Sequence, residues 1–189
     1  MELNNMIELL KTRVSSPKLT SPAPNAAELE QVLACGLRAP DHGRLKPWHF
    51  HIVQGGAREE LGTIFAQFAA TKSEASQDKL EKCKNMPMRA PLLLVAVCEP
   101  VVNPKIPVME QMLAVGAAMQ NMQIAISSLG FSSIWRTGEM ATAKPVLDAF
   151  NVSENGSIVG FLYVGTAIKA LKAPAINVSD HTSHWGGEC

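Results

Sequence analysis

Residues 36–53 read GLRAPDHGRLKPWHFHIV, and this stretch decides how the chain on either side of it is arranged. Pro40 ends the helix predicted before it, because proline has no amide hydrogen to donate and disfavours a helical residue ahead of it. Pro47 precedes Trp48 to Val53, an aromatic and β-branched run that is typical of a strand. The segment around Pro40 carries five charged or imidazole side chains, Arg38, Asp41, His42, Arg44 and Lys46. Such a loop between two rigid elements indicates either a binding site or a solvated surface turn.

The length and charge of the chain limit the classes of function. Its 189 residues predict a single domain, residues 1–189, long enough to bury a sizeable core, and a hydrophobic content of 47% argues against disorder. Seventeen basic residues balance seventeen acidic ones, whereas a general nucleic-acid binder needs many cations to neutralise phosphates. The sequence has no dense run of lysine and arginine suited to an anionic membrane surface. We therefore expect a small molecule at a specific site as the partner, and neither nucleic acid nor membrane.

The cysteines and histidines do not form a recognisable metal motif. The four cysteines, Cys35, Cys83, Cys98 and Cys189, contain no Cys-x-x-Cys pair, so neither a zinc knuckle nor a thioredoxin-like motif is supported. Reduced thiols and an N-terminus without the pattern of a signal peptide predict a cytoplasmic protein. His49 and His51 share one face of the predicted strand. They are either metal ligands or a structural pair, and the structural interpretation is favoured because no paired carboxylate lies nearby in sequence.

Hydrophobic periodicity and turn residues predict the secondary structure. The expected helices span residues 3–12, 26–38, 57–70, 108–129 and 144–150, and the expected strands span 48–53, 91–98, 131–136 and 157–164. Asn25 with Glu28 three residues later indicates a capping box, and Thr142 is the expected cap of the last helix. The second helix presents Leu29, Val32, Leu33 and Leu37 on one face. Residues 18–25 are expected to be an irregular connector, and residues 71–90 either a solvated surface helix or a mobile lid.

Residues 108–129 form the longest predicted helix, and it is apolar on several faces. A helix that is apolar all round should be buried. A membrane span is disfavoured because Glu110 and several amides, Gln111, Gln120, Asn121 and Gln123, would be costly in lipid. We therefore predict that this helix lies at the centre of a dimer, where flexible methionines fill irregular gaps.

Four ordered segments resemble a known family. Ala39-Pro40-Asp41-His42 followed by Pro47-Trp48-His49-Phe50 is similar to the short flavin-dependent nitroreductases of the YdjA type. Residues 9–15, 130–138 and 158–166 match the same family in the same order. The resemblance implies an α+β sandwich of the nitroreductase type, with a mixed central sheet surrounded by helices. It also implies an intertwined homodimer with two flavin mononucleotides (FMN) at the subunit interface, and a C-terminal arm, residues 167–189, laid across the partner subunit.

The resemblance also implies which residues bind FMN. Arg13, Val14 and Ser15 match an Arg-Arg-Ser motif that holds the flavin phosphate, and Val14 replaces the second arginine. From the residues alone, Arg13 is either a phosphate clamp or a cation that stabilises the end of a helix. The remaining implied contacts are Arg38 and His42, from a loop of the other subunit, and Trp135, Arg136 and Thr137 around the isoalloxazine ring. The weakest assignment places the nicotinamide nucleotide at Ala125, Ile126, Ser127, Ser128, Leu129 and Gly130.

The reaction implied is ping-pong. NADH or NADPH donates electrons, and a nitroaromatic, quinone or similar small-molecule acceptor is then reduced. The chain contains no hydrolase nucleophile elbow, no phosphate-binding P-loop and no dinucleotide fingerprint, and no side chain stands out as an acid, base or nucleophile. This fits a flavin that carries the chemistry itself. Two alternatives stay open, a flavin-binding sensor or storage module without turnover, and a structural dimer that has lost the cofactor. The second is kept open by Val14 and by Lys46, where relatives often have glutamine.

Overall fold

The computed structural model of the chain describes residues 3–73 and 75–186, and the side chains in these ranges from residue 6 onward. Its helices are α1 Leu3–Thr12, α2 Ala26–Gly36, α3 Ala57–Ala70, α4 Gln77–Lys84, α5 Val108–Ser128 and α6 Lys144–Ala149. Its strands are β1 Leu19–Thr20, β2 Trp48–Gln54, β3 Leu92–Cys98, β4 Ser132–Arg136 and β5 Ser157–Ala167. The expected helices and strands are confirmed to within three residues at each end, and β1 lies in the segment that was expected to be irregular. The expectations that fall on Met1, Glu74 and Cys189 lie outside the described residues.

Local signals explain where the helices begin and end. The capping box is confirmed, since the Glu28 amide donates to Asn25 Oδ1 at 3.0 Å and the Asn25 amide donates to Glu28 Oε2 at 2.8 Å. The placement of Leu37 within the apolar face of α2 is wrong, because α2 ends at Gly36 and Leu37 is its C-cap residue, 51% exposed.

The expected cap of the last helix is wrong, since Thr142 is not in the cap position. Ala143 occupies the cap position without a side-chain hydrogen bond, and the Thr142 hydroxyl donates to the Glu139 carbonyl instead. A proline in the first turn of α6 has no amide hydrogen, so one fewer donor needs a cap.

The sheet is built around its longest strand, β5. β5 pairs with β3, β4 and β1, and β2 pairs with the free side of β3 as an edge strand. All these pairs are antiparallel, and the parallel component of the sheet is an isolated bridge between Ser15 and Ser133. Every residue of β3 is buried, which confirms the prediction from its continuous apolar run.

Two hydrophobic layers cover the two faces of the sheet. On one face, β3 packs with α3 and α6 through Leu93, Val95 and Val97. On the other face, β3 packs with α2 and α5 through Leu92, Leu94 and Ala96. The alternation follows from the two-residue period of a strand. The architecture is therefore an α+β sandwich with helices on both faces of the sheet, as predicted.

Helix α4 packs closely on α3 within the segment 71–90. A Cβ atom on Gly62 of α3 would lie only 2.1 Å from the carbonyl oxygen of Lys84, so the absence of a side chain at Gly62 allows the approach. Cys83 of α4 is buried in the same layer. Of the two alternatives for residues 71–90, a surface helix or a mobile lid, the structure contains a helix, α4.

Helix α5 is partly buried and partly open. Its inner face, which includes Val115, Met119 and Met122, is fully buried, whereas Met109 and Leu113 are 66% and 65% exposed. The buried amides of α5 are paired, since Gln111 bonds with the backbone of Val101 and of Ile106 and the Gln123 amide donates to Ser133 Oγ. No helix in the described ranges is long and apolar enough to cross a membrane.

Candidate functional site

The segment after α1 lies beside β4. The amide of Ser16 donates to the carbonyl of Ser133 at 3.1 Å, and Ser15 forms the parallel bridge with the same residue. The Arg13 amide closes the last turn of α1 on the Leu9 carbonyl at 2.9 Å. These contacts fix Arg13 and Ser15 at the edge of the sheet, next to the strand that carries Trp135.

Arg13 has a buried guanidinium nitrogen with no hydrogen-bond partner. Among the buried side-chain nitrogens and oxygens of the described residues, only Arg13 Nη1 is unpaired. A buried charged donor without an acceptor is unfavourable, so this position calls for an oxygen-bearing anion. The residues around it fit a phosphate group, because a guanidinium pairs strongly with phosphate oxygens and the exposed Ser15 hydroxyl lies in the same cavity.

The cavity at Arg13 is lined in part by residues of the C-terminal arm, which were not predicted to lie there. The cavity measures about 570 Å³, and its lining residues are Leu10, Lys11, Arg13, Val14, Ser15, Leu171, Lys172, Ala173, Pro174 and Ile176. Lys172 therefore adds a cation to a cavity in which Val14 provides none. The lining residues from the arm belong to the same chain as Arg13, and an arm across a partner subunit stays a prediction.

The loop that carries His42 lies against α5. His42 Nδ1 is 2.6 Å from Glu110 Oε2, and both side chains are substantially exposed. The Asp41 carboxylate accepts a hydrogen bond from the Lys46 amide at 2.7 Å, which holds the loop closed. An open cavity of about 580 Å³ is lined here by Pro40, Asp41, His42, Glu110, Leu113, Ala114 and Ala117. Arg38 is exposed at the start of this loop.

Trp135 and Arg136 project to opposite faces of the sheet, as neighbours in a strand must. The Trp135 indole lies on the α5 face, where Nε1 donates to the Val159 carbonyl at 3.3 Å. A Cβ atom on Gly160 would lie 2.0 Å from this nitrogen, so the glycine makes room for the indole. Arg136 and Thr137 line a separate cavity on the α3 face. Their side chains therefore do not meet Trp135 on one surface.

The end of α5, predicted to meet the nicotinamide nucleotide, is partly accessible. Ser128 and Gly130 are exposed, whereas the Ile126 side chain is fully buried in the core. Gly130 has a φ of +85°, a left-handed conformation that ends the helix and that a glycine adopts without strain. The nicotinamide assignment stays a prediction.

His49 and His51 pack against each other on the edge strand. Their ring centroids are 4.6 Å apart in an edge-to-face arrangement, and the His51 ring is 4.9 Å from that of Phe150. Burial, and secondarily the neighbouring His49, lower the pKa of His51 below its usual value. In the part of the chain that the structure describes, no three histidine, cysteine, aspartate or glutamate side chains are grouped so as to hold a metal ion. The contacts are those of a structural pair.

One chain does not bring the predicted cofactor residues together. Arg13 and Ser15, His42, and Arg136 with Thr137 line three different cavities. The described part of one chain therefore does not place these groups around one ligand.

Comparisons with known proteins agree with this architecture. A model of the nitroreductase family matches residues 10–166, a range that contains every predicted cofactor residue but not Lys172. The chain is 41% identical over 178 residues to "Putative NAD(P)H nitroreductase YdjA" of Escherichia coli K12, covering 93% of this chain and 95% of the relative. It is 34% identical over 165 residues to a protein of Haemophilus influenzae named "Putative NAD(P)H nitroreductase", covering 86% of this chain and 89% of the relative.

Solved structures share the fold at lower identity. A nitroreductase-like family protein from Bacillus cereus superposes with a TM-score of 0.84 at 20% identity, covering 99% of both chains. A nitroreductase with bound FMN from Bacteroides fragilis superposes with a TM-score of 0.72 at 21% identity, covering 96% of this chain and 99% of the other. At these identities the likeness shows the fold alone.

Proposed function

The chain belongs to the nitroreductase family, and from this membership and the geometry of its cavities we propose that it is an FMN-dependent NAD(P)H oxidoreductase. The proposed reaction is ping-pong, with NADH or NADPH as the electron donor and a nitroaromatic, a quinone or a similar flat molecule as the acceptor. Bound FMN would supply the hydride transfer between donor and acceptor. The residues of the chain bind and orient the reactants.

The single observation that carries this proposal is the unpaired Arg13 Nη1. The side chain lies in a cavity that Ser15, Lys11 and Lys172 also line. Lys11 is paired with Glu8, so Arg13, Lys172 and a hydroxyl are available where the family motif places a phosphate. Lys172 offsets the loss of the second arginine at Val14. This weakens the case for a chain that has lost its cofactor.

The proposed enzyme is a homodimer whose subunits share each site. Leu113 of α5 and His42 line one open cavity, and a two-fold contact through the exposed face of α5 would bury the leucine and present His42 to the partner's cofactor. In this arrangement Arg13 and Ser15 hold the phosphate, and His42 and Arg38 come from the other subunit. The backbone from Trp135 to Thr137 borders the ring, and the end of α5 receives the nicotinamide nucleotide.

We also propose a cytoplasmic location. The described cysteines, Cys35, Cys83 and Cys98, are all free thiols, the state that a reducing compartment maintains.

Anaerobic titration with reduced nicotinamides tests the reaction. The bound flavin should lose its yellow colour with NADH or NADPH, and a nitroaromatic or a quinone should restore it. Flavin that stays oxidised with both nicotinamides, yet is reduced by dithionite, would identify a sensor or storage module instead.

A further inference from the structure

A second polar cavity lies between β4 and the helices of the α3 face. It measures about 310 Å³, and its lining residues are Phe65, Met86, Arg89, Arg136, Thr137, Gly138, Met140, Phe161 and Tyr163. Three of these residues are aromatic and almost fully buried, with exposures of 1% for Phe65 and Phe161 and 4% for Tyr163. Phe65 and Phe161 meet edge to face at an interplanar angle of 78°, so the floor of the cavity is aromatic and apolar but not flat.

Strand register places Arg136 next to this floor. Arg136 pairs with Phe161 across the β4–β5 ladder, and Ile134 pairs with Tyr163. Arg136 is thus a diagonal neighbour of Tyr163 on the same face of the sheet, within reach of a long side chain. Arg89, in the 3-10 turn Pro87–Arg89, lines the same cavity as Tyr163.

The two guanidinium groups are partly exposed and have no partner among the described residues. No acidic side chain lines the cavity, and neither Arg89 nor Arg136 makes a side-chain hydrogen bond or an ion pair with any residue that the structure describes. The Tyr163 hydroxyl forms no hydrogen bond with the described residues and, unlike Arg13 Nη1, is not one of their buried unpaired atoms, so it is open to the cavity. Burial raises the pKa of Tyr163, and the two arginines act against that rise. Two cations and one hydroxyl therefore line the same cavity without an acceptor from the described residues.

We propose that this cavity binds a small carboxylic acid with a flat apolar body, of the size of benzoate. The carboxylate lies between Arg89 and Arg136 and accepts the Tyr163 hydroxyl, because a guanidinium pairs with a planar carboxylate through two parallel hydrogen bonds. The ring of the acid packs on Phe65 and Phe161. A hydrated phosphate matches this apolar floor less well.

The acid site goes beyond the proposed flavin chemistry and does not need it. Thr137 and Gly138 lie at the rim of the cavity and continue directly from the strand that we place beside the flavin ring. An acid bound here is a neighbour of the cofactor site, and its binding is measurable with or without FMN.

Tyr163 provides a direct probe, because it is the only tyrosine in the sequence. Protein labelled with ¹³C-tyrosine is titrated with benzoate in its FMN-free and FMN-loaded forms, without nicotinamide. We expect one saturable shift of the tyrosine ring resonance in both forms. Benzamide, which lacks the charge, and acetate, which lacks the ring, should each bind at least about 10-fold more weakly.

Variants separate the site from a general charge effect. Arg89→Gln should weaken benzoate binding by roughly 10-fold or more. Arg89→Lys should weaken it less, because the positive charge is kept and only the paired hydrogen bonds of the guanidinium are lost. The matched control is Lys82→Gln on the exposed surface of α4, which removes one positive charge away from the cavity and should leave binding unchanged. Melting curves establish whether each variant is folded. If Arg89→Gln does not fold, Arg89→Lys serves as the test.

Three results would overturn the inference. These are the absence of a saturable shift, equal benzoate affinity in the wild type and in the folded Arg89 variant, and inorganic phosphate that binds more tightly than benzoate. Nicotinamide-dependent bleaching, measured on the same FMN-loaded sample, keeps the two proposals apart. Bleaching without benzoate binding refutes the acid site alone, and benzoate binding without bleaching refutes the proposed oxidoreductase alone.

Discussion

Leu113→Glu should lower FMN affinity although Leu113 is not proposed to touch FMN. The side chain is 65% exposed on α5 and shares a cavity with His42. Full burial of a leucine is worth about 1.5–3 kcal/mol, so covering the exposed part contributes about 1–2 kcal/mol in each subunit. A symmetric contact contains two copies, and losing both should raise the dimer dissociation constant roughly 30- to 900-fold. The cost of burying the new carboxylate adds to this effect.

Sedimentation across a dilution series, with and without FMN, measures this effect. FMN that bridges two subunits binds the dimer and not the monomer, and at 100 times its dissociation constant it stabilises the dimer by about 2.7 kcal/mol per site. The variant should therefore be monomeric and weak in FMN binding at concentrations where the wild type is a holo-dimer, and higher protein concentration should restore both. Lys82→Gln changes the net charge by the same amount on α4, which covers the opposite face of the sheet, and should behave as wild type.

A monomeric Leu113→Glu protein that binds FMN as tightly as the wild type would refute the shared site, and with it the placement of His42 at the cofactor. A variant that stays dimeric at every dilution would show that this face of α5 is not the subunit contact.

Two further predictions concern stability. Gly62→Ala should destabilise the fold by about 1–3 kcal/mol in urea titrations, because the new Cβ would lie 2.1 Å from the Lys84 carbonyl oxygen and α4 would have to move. Gly56→Ala is the control, since a Cβ at Gly56 would meet no described atom within 4 Å. Equal stabilities of the two variants would contradict this packing argument. The pKa of His51 is lower in the folded protein than in the unfolded chain, so the unfolded chain is protonated first as the pH falls. The stability that the neutral His51 contributes to the fold is therefore present above pH 6.5 and is lost as the pH falls toward the lowered folded pKa. Melting temperatures from about pH 7.5 to 5.5 should therefore fall less in His51→Gln than in the wild type, whereas the exposed-tail variant His181→Gln should match the wild type; an unchanged fall in His51→Gln would rule out His51 as the cause.

Local patterns made most elements of the fold predictable. The run of β3, the amphipathic α3 and the capping box at Asn25 are each determined by neighbouring residues, and each is confirmed. The errors at Leu37 and Thr142 are also local. A helical pattern does not show the residue at which a helix stops, and a hydroxyl before a helix can bond to an earlier carbonyl.

The parts of the sites that depend on distant contacts were not predictable from the sequence. Lys172 reaches the Arg13 cavity only because the chain beyond β5 returns past the end of α1. Arg136 lies beside Tyr163 because of the β4–β5 register, and Arg89 reaches the same cavity from the 3-10 turn after α4; no short segment encodes either contact. The opposite directions of Trp135 and Arg136 follow from simple alternation, and this was the available signal that the two side chains do not share a surface.

The central claim is that the Arg13 cavity holds the phosphate of FMN, and riboflavin, which lacks that phosphate, tests it most directly. Affinities of FMN and riboflavin for the wild type and for Arg13→Ala form a double-mutant cycle. A charge-assisted contact is worth about 1.5–3 kcal/mol, so the substitution should weaken FMN binding by roughly 10- to 150-fold and leave riboflavin binding nearly unchanged. Equal losses for the two flavins, or no loss for FMN, would contradict the account and place the phosphate elsewhere.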